Sequence, residues 1–369
     1  MMGLIGFPHA RKGQKGTYEM RQARAIGPST TRCHYHVCNQ ITNQDMLLED
    51  GVKDHLLCTL RRVEDFSGVR VLTFAIMTNH IHLLVCVPPR EEVDDEELLR
   101  RLARIHSARR MKETQRKWTR LLALGDEGRT LVEAEKDRYR ARMYDLSQFM
   151  KTFKELFTEE YNRDSEKTSK RKHLGPVFVP RFTSVYLEPN RQALLPVSSY
   201  IDFNPVKADI ADRPEDYPWS GYAKAEANPP DPLARKHLLE LLCDILCVPM
   251  ESILRGTDPR REEQMLAFYA AALEGRVGES EERIPEDVPE CPTRKAIQKK
   301  IDKKQPLTFL EHLFCRVPCY ARGRVLGSKA FLGDFTQQKG WKSGYRAITG
   351  IQGVDLCSLA RNRKGVFSA

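Results

Sequence analysis

The stretch Met77-Thr78-Asn79-His80-Ile81-His82-Leu83-Leu84-Val85 sets two histidines two positions apart in an apolar run. Successive side chains on a strand point to opposite faces, so His80 and His82 share one face and Ile81 occupies the other. Two imidazoles about 7 Å apart along a strand can converge on one divalent ion if a third ligand arrives from elsewhere. A candidate for that ligand lies in Ser198-Ser199-Tyr200-Ile201-Asp202-Phe203-Asn204-Pro205-Val206-Lys207-Ala208. If residues 198–204 are helical, Tyr200 and Asn204 stand one turn apart on one face, and Ile201 and Phe203 anchor the other. Pro205 disfavours helical geometry at Asn204, so the helix is expected to end or kink there and leave the carboxamide pointing into a site. The competing reading is structural: histidines satisfied in a core, and a buried tyrosine supporting the Pro205 turn.

The elements that must position these residues read as strands first and helices later. Residues 33–41 form a candidate strand, residues 52–64 a helix and residues 69–77 a second strand. Thr78-Asn79 is so short a connection that the histidine strand at 80–87 must run antiparallel to its predecessor. Residues 91–123 read as a helical excursion with one aromatic, Trp118. Tyr139, Met143, Leu146, Met150, Phe153 and Phe157 recur at steps of four and three, the core face of a helix that packs one side of the sheet. The prolines in GPVFVPRFTSVYL (175–187) predict an extended or edge strand.

With 369 residues the chain is expected to form about two domains. The net charge of +10 and pI near 9.1 favour a polyanionic partner, nucleic acid first. The charge is uneven: six Lys/Arg against one acid in residues 1–40, nine against one in 100–120, and sixteen against four in 291–369. No run of 18 or so apolar residues suggests a membrane span, and the N-terminus lacks a signal-peptide core. Ten cysteines without a C-x-x-C suggest neither a disulfide framework nor a zinc ribbon; Cys243/Cys247 and Cys315/Cys319 read as small core residues. A cytoplasmic, nucleoid-associated protein is the expectation.

In order along residues 30–225, MTNHIHLLV (77–85), FMKTFKELFTEEYN (149–162), GPVFVPRFTSVYL (175–187), YIDFNPVKADI (200–210) and YPWSGY (217–222) together resemble the REP-associated tyrosine transposases. These belong to the single-tyrosine HUH transposases, relatives of insertion-sequence transposases acting on single-stranded DNA. The resemblance implies that His80, His82 and Asn204 hold Mg²⁺ or Mn²⁺ and that Tyr200 is the nucleophile, becoming linked to a 5′ phosphate while a 3′ hydroxyl leaves. Asn79 then holds a turn or orients a histidine behind the ligands. His36, within a second His-x-His at 34–36, matches a histidine the family has near this position outside the paired ligands.

The expected fold is α+β: a ferredoxin-like antiparallel sheet with helices packed on one face, followed by a helical C-terminal extension. Residues 1–29 form a basic tail and residues 30–225 the catalytic domain, with a helical insertion at about 90–145. Residues 226–292 hold a linker and helices at about 233–247 and 260–274, and 293–369 a basic region with possible DNA contacts. There Arg294, Lys295, Lys299, Lys300, Lys303 and Lys304 suggest a duplex-phosphate face, and VLGSKAFL (325–332) a loop feeding a helix. Single-stranded or hairpin DNA is the expected partner, met by Arg181, Phe182, Lys207, Trp219 and Tyr222 through charge and base stacking. Monomer and homodimer are both compatible with the sequence. Two alternatives stand beside a nicking and joining enzyme: a domesticated, non-catalytic DNA-binding regulator, and a relaxase or replication initiator, whose usual partner modules are not visible.

Overall fold

The computed structural model describes residues 24–42, 48–168, 175–254, 259–274 and, in part, 299–359. Its N-terminal half runs β1 (Cys33–Gln40), α1 (Asp50–Ser67), β2 (Arg70–Ile76) and β3 (His80–Val87), then α2 (Asp95–Ile105), α3 (Ala108–Leu122), α4 (Asp126–Arg140) and α5 (Leu146–Thr168). β4 (Thr183–Leu187) leads to α6 (Arg191–Asp202), α7 (Asn204–Lys207), α8 (Gly221–Glu226), α9 (Pro232–Leu246), α10 (Met250–Leu254) and α11 (Pro259–Leu273). The C-terminal region adds β5 (Val325–Gly327), α12 (Lys329–Gln338), β6 (Tyr345–Ala347) and β7 (Cys357–Leu359).

The described strands form one sheet in the order β2-β3-β1-β4-β5-β7-β6. Its first four are mutually antiparallel, and their order and connections are those of the expected ferredoxin-like α+β unit. The remainder departs from expectation. β4 is interior, not an edge, because β5 pairs with it in parallel while β1 pairs antiparallel on its other side. The segment 325–327 within VLGSKAFL is therefore a strand, and the C-terminal region supplies three strands as well as α12. Strands of three residues are too short to show alternation, so only the partner strand reveals them.

Helices cover both faces, not one. Tyr35, Val37, Ile81, Leu83 and Val85 pack with α1 and α5, while Leu84, Cys86, Val185 and Leu187 pack with α6, α9 and α11. The stripe from Tyr139 to Phe157 is divided between α4 and α5. The chain leaves α4 after Arg140, and Tyr144, at φ 55°, donates its N–H to Ser67 O before α5 resumes at Leu146. Met143, Met150, Phe153 and Phe157 still enter the core, because the break keeps their faces aligned. Of the earlier expectations, residues 1–23, Cys315, Cys319, Arg294, Lys295 and Lys304 lie outside the described residues.

α9 is fastened to the sheet by charge. Arg32 reaches Glu240 and Asp244 at 2.8 Å each, Arg70 reaches Glu240 at 2.6 Å, and fully buried His34 meets Asp244 at 2.9 Å. Burial alone favours the neutral His34 ring, but the Asp244 hydrogen bond, the neighbouring Cys86 sulfur and the Asp244 charge outweigh it and raise the ring to about 9. The protonated ring therefore stabilises the fold fully below the unfolded value near 6.5, and the contribution fades as pH rises through about 9. Urea unfolding should show wild type losing more stability than Asp244→Asn between pH 6 and pH 10, by at most about 3 kcal/mol. Equal losses in the two proteins would contradict the charged pair.

Candidate active site

The alternation of β3 sends Ile81, Leu83 and Val85 into the α1/α5 core and turns His80 and His82 to the other face, toward α6. β1 lies alongside with Cys38 opposite His82 and Gln40 opposite His80. His36, one alternation step from Cys38, therefore shares the site face and stands diagonal to His82. Its Nε2 lies 2.9 Å from His82 Nδ1, and the two rings stack at 5.1 Å. His36 Nδ1 meets the main-chain oxygen of Tyr320, which can only accept.

These contacts fix the tautomers. His36 must carry its hydrogen on Nδ1, and burial pulls the ring down to about 4, so it is neutral and Nε2 is an acceptor. His82 Nδ1 then donates to His36 Nε2 and leaves its own Nε2 with a lone pair. Burial first, then the charges of His80, His36 and Lys207, holds His82 well below the usual histidine range. His80 Nδ1 donates to Asn79 Oδ1 at 2.7 Å, which turns Nε2 into the unprotonated ring nitrogen. The His80 and His82 rings are edge to face at 4.9 Å. An imidazole whose Nε2 lone pair is backed by a hydrogen bond at Nδ1, as in His82, suits metal ligation.

α6 brings Tyr200 to this face. Asn190 caps the helix by accepting from Ala193 N, and Ala193, Leu194, Val197 and Ile201 bury its inner side. The helix breaks at Phe203, and Pro205 sits in the first turn of α7, so the interruption falls next to Asn204. The Tyr200 ring lies 5.8 Å from His82 and 6.0 Å from His36, edge-on to both, with the Tyr320 ring at 5.6 Å and Lys207 Nζ at 5.1 Å. Only 8% of Tyr200 is exposed. Asn204 Nδ2 donates to Tyr200 O at 2.8 Å, which folds the carboxamide back onto the last turn of α6 and commits its nitrogen. Among the described residues no group of three or more His, Cys, Asp or Glu is placed to hold a metal.

Between Tyr200 and Asn204, Asp202 points the opposite way. It accepts from Thr73 Oγ1 and Tyr269 OH at 2.6 Å each and from Tyr222 N at 3.4 Å, tying the end of α6 to β2, α8 and α11. Burial pushes its carboxyl up to about 7. Asp202, His36 and Tyr320 are residues that sequence reasoning left outside the site. His36 had a signal, its place in a His-x-His on the neighbouring strand, whereas Tyr320 had none because it arrives from a distant segment.

The candidate DNA-contacting residues are dispersed. Lys207 stands beside Tyr200 and Arg181 is exposed. The aromatics are used in packing. Arg24 covers the Phe182 ring at 3.8 Å, and Trp219 donates Nε1 to Asp54 beneath Lys53 Nζ at 4.1 Å. Tyr222 is buried against Tyr269 at 5.7 Å, which removes it from any base-stacking surface.

Residues 29–123 match the family model described as IS200-like transposase, a segment that holds His80 and His82 but stops before Tyr200. No curated protein matches the chain. Among solved structures, a REP-associated tyrosine transposase bound to a REP hairpin aligns at 14% identity and a TM-score of 0.34, over 60% of this chain and 90% of that one.

The tautomers can be read by ¹⁵N NMR of the imidazoles. His36 and His82 should be neutral and protonated at Nδ1, and His36→Ala should release His82 from that form. An Nε2-protonated His82 in wild type would contradict the hydrogen-bond chain.

Proposed function

We propose that this chain, whose residues 29–123 match the IS200-like transposases, is a metal-dependent endonuclease that nicks and rejoins single-stranded DNA through Tyr200. The observation that carries the reading is the meeting of His80, His82 and Tyr200 on one face, with ring separations of 4.9 and 5.8 Å across β3 and α6. A core tyrosine has no need of two imidazoles brought to the same face beside it.

His80 Nε2, His82 Nε2 and Asn204 Oδ1 would hold the ion. Bound there, it would supply Lewis-acid stabilisation of charge on a phosphate oxygen. Nitrogen ligands fit Mn²⁺ more readily than Mg²⁺, which prefers oxygen, so Mn²⁺ is the better first choice in an assay. A free phenol titrates near 10 and is a weak nucleophile at neutral pH. The Lys207 ammonium near the Tyr200 ring favours negative charge developing on the phenol and on the phosphate.

In the proposed step the Tyr200 oxygen forms a bond to phosphorus as the bond to the 3′ oxygen breaks. The phenolic proton is balanced by the proton gained by the leaving 3′ hydroxyl. The products are a 5′-phosphotyrosine and a free 3′ hydroxyl, so attack by a 3′ hydroxyl on the phosphotyrosine reverses the step and joins strands without a nucleotide cofactor. Asp202, held away from the phenol by its three donors, takes no part in the proton transfer and fixes the pitch of α6.

One observation favours a non-catalytic DNA-binding reading: Tyr200 is largely covered, with the Tyr320 ring against it. Labelled hairpin DNA from the gene's own flanks, incubated with protein and Mn²⁺, separates the two. The enzyme reading expects a covalent protein–DNA adduct in wild type and its loss by about 10³-fold or more in Tyr200→Phe. An adduct of wild-type yield in Tyr200→Phe would reassign the nucleophile, and no adduct in wild type would support the binding reading.

A further inference from the structure

α3 stands apart from the site just described and holds six Lys/Arg against a single acid, Glu113. Two of the six are neutralised locally: Arg109 pairs with Glu113 at 2.9 Å, and Lys117 with Glu135 of α4 at 2.6 Å. Lys112, Arg116 and Arg120 are exposed and recur every four residues, so they form one row about 12 Å long. They share a shallow groove with Gln115 and Thr119, which add neutral hydrogen-bonding groups.

The nearby acids are turned elsewhere. On α4, Glu133 pairs with Lys136, Asp126 with Arg129 and Asp137 with Arg140, each three residues along its own helix. Like charges at i,i+4 disfavour a helix, so a row of three gains most from an anionic ligand laid along it. The row is also held firmly. Ser107 caps α3 by accepting from Arg110 N, and Trp118 is buried on the inner side toward α4, where Val132 is buried as well.

We propose that the Lys112–Arg116–Arg120 row binds the phosphate backbone of duplex DNA, the stem beside a single-stranded segment processed at Tyr200. The inference rests on the reading of the Tyr200 site as a DNA-processing centre. Single strands are gripped by aromatic platforms as well as by charge. The one aromatic of α3, Trp118, is buried, so its outward face offers charge and hydrogen bonds alone, which suits a duplex backbone. Three charges set one helical turn apart supply one contact each to about three phosphates. Such contacts set register and orientation and carry no sequence choice of their own.

The test compares full-length wild type with the triple variant K112Q/R116Q/R120Q on two DNAs: a hairpin with a single-stranded tail, and the tail alone. Fluorescence anisotropy across a salt series should show the variant binding the hairpin about tenfold or more weakly, its log–log salt slope shallower by about 2.7. Binding of the tail alone, and the Mn²⁺-dependent adduct formed on it, should match wild type. Circular dichroism should show unchanged helix content, because Gln is a good helix former and the positions are exposed. Equal hairpin affinity and slope in the two proteins would overturn the duplex-binding row while leaving the Tyr200 reading intact. Equal loss on hairpin and tail would overturn the duplex assignment, and failure of wild type to bind either DNA would overturn both readings.

Discussion

A hydrogen bond between two neutral imidazoles, His36 Nε2 to His82 Nδ1, is the constraint on which the candidate site depends. It exists because β1 and β3 pair antiparallel with Cys38 opposite His82, which brings His36 diagonal to His82 on one face. A slip of one residue would turn either histidine into the opposite core. The Tyr320 carbonyl polarises the chain from one end and leaves the His82 Nε2 lone pair at the other. Asn79 Oδ1 likewise accepts from His80 Nδ1 within a single turn. Burial then keeps His36 and His82 neutral, the state a metal ligand needs.

The rest of the fold holds that face still. α6 delivers Tyr200, and its C-terminal end is fixed by the three hydrogen bonds that converge on Asp202. α9 is clamped over the same side of the sheet by Arg32, His34 and Arg70. The C-terminal region extends the sheet through β5 and sends Tyr320 to the site, so a segment more than a hundred residues beyond Tyr200 helps to set the tautomer of a histidine beside it. The Tyr320 ring also accounts for part of the burial of Tyr200.

Local pattern made much of this legible. The His-x-His alternation, the two-residue turn before it and the helix interruption beside Pro205 each predict a local geometry that the structure contains. Features set by distant partners were not legible. β5, β6 and β7 are three residues each, too short for periodicity, and β4 became interior only because β5 arrives beside it. Tyr222 and Trp219 are aromatic residues near basic ones, a pattern that packing and base stacking share, and here packing claims both. The break at Tyr144 lies inside an unbroken apolar stripe, because the stripe records burial and not helix continuity.

The central claim is that His80 and His82 present paired Nε2 lone pairs to one ion beside Tyr200. Electron spin-echo envelope modulation of Mn²⁺ bound to the protein tests it most directly, since coupling to imidazole nitrogen is seen only for ligated rings. The account predicts two coupled nitrogens in wild type and one in each of His80→Ala and His82→Ala. A spectrum from bound Mn²⁺ with no nitrogen coupling, or one unchanged by both substitutions, would contradict it.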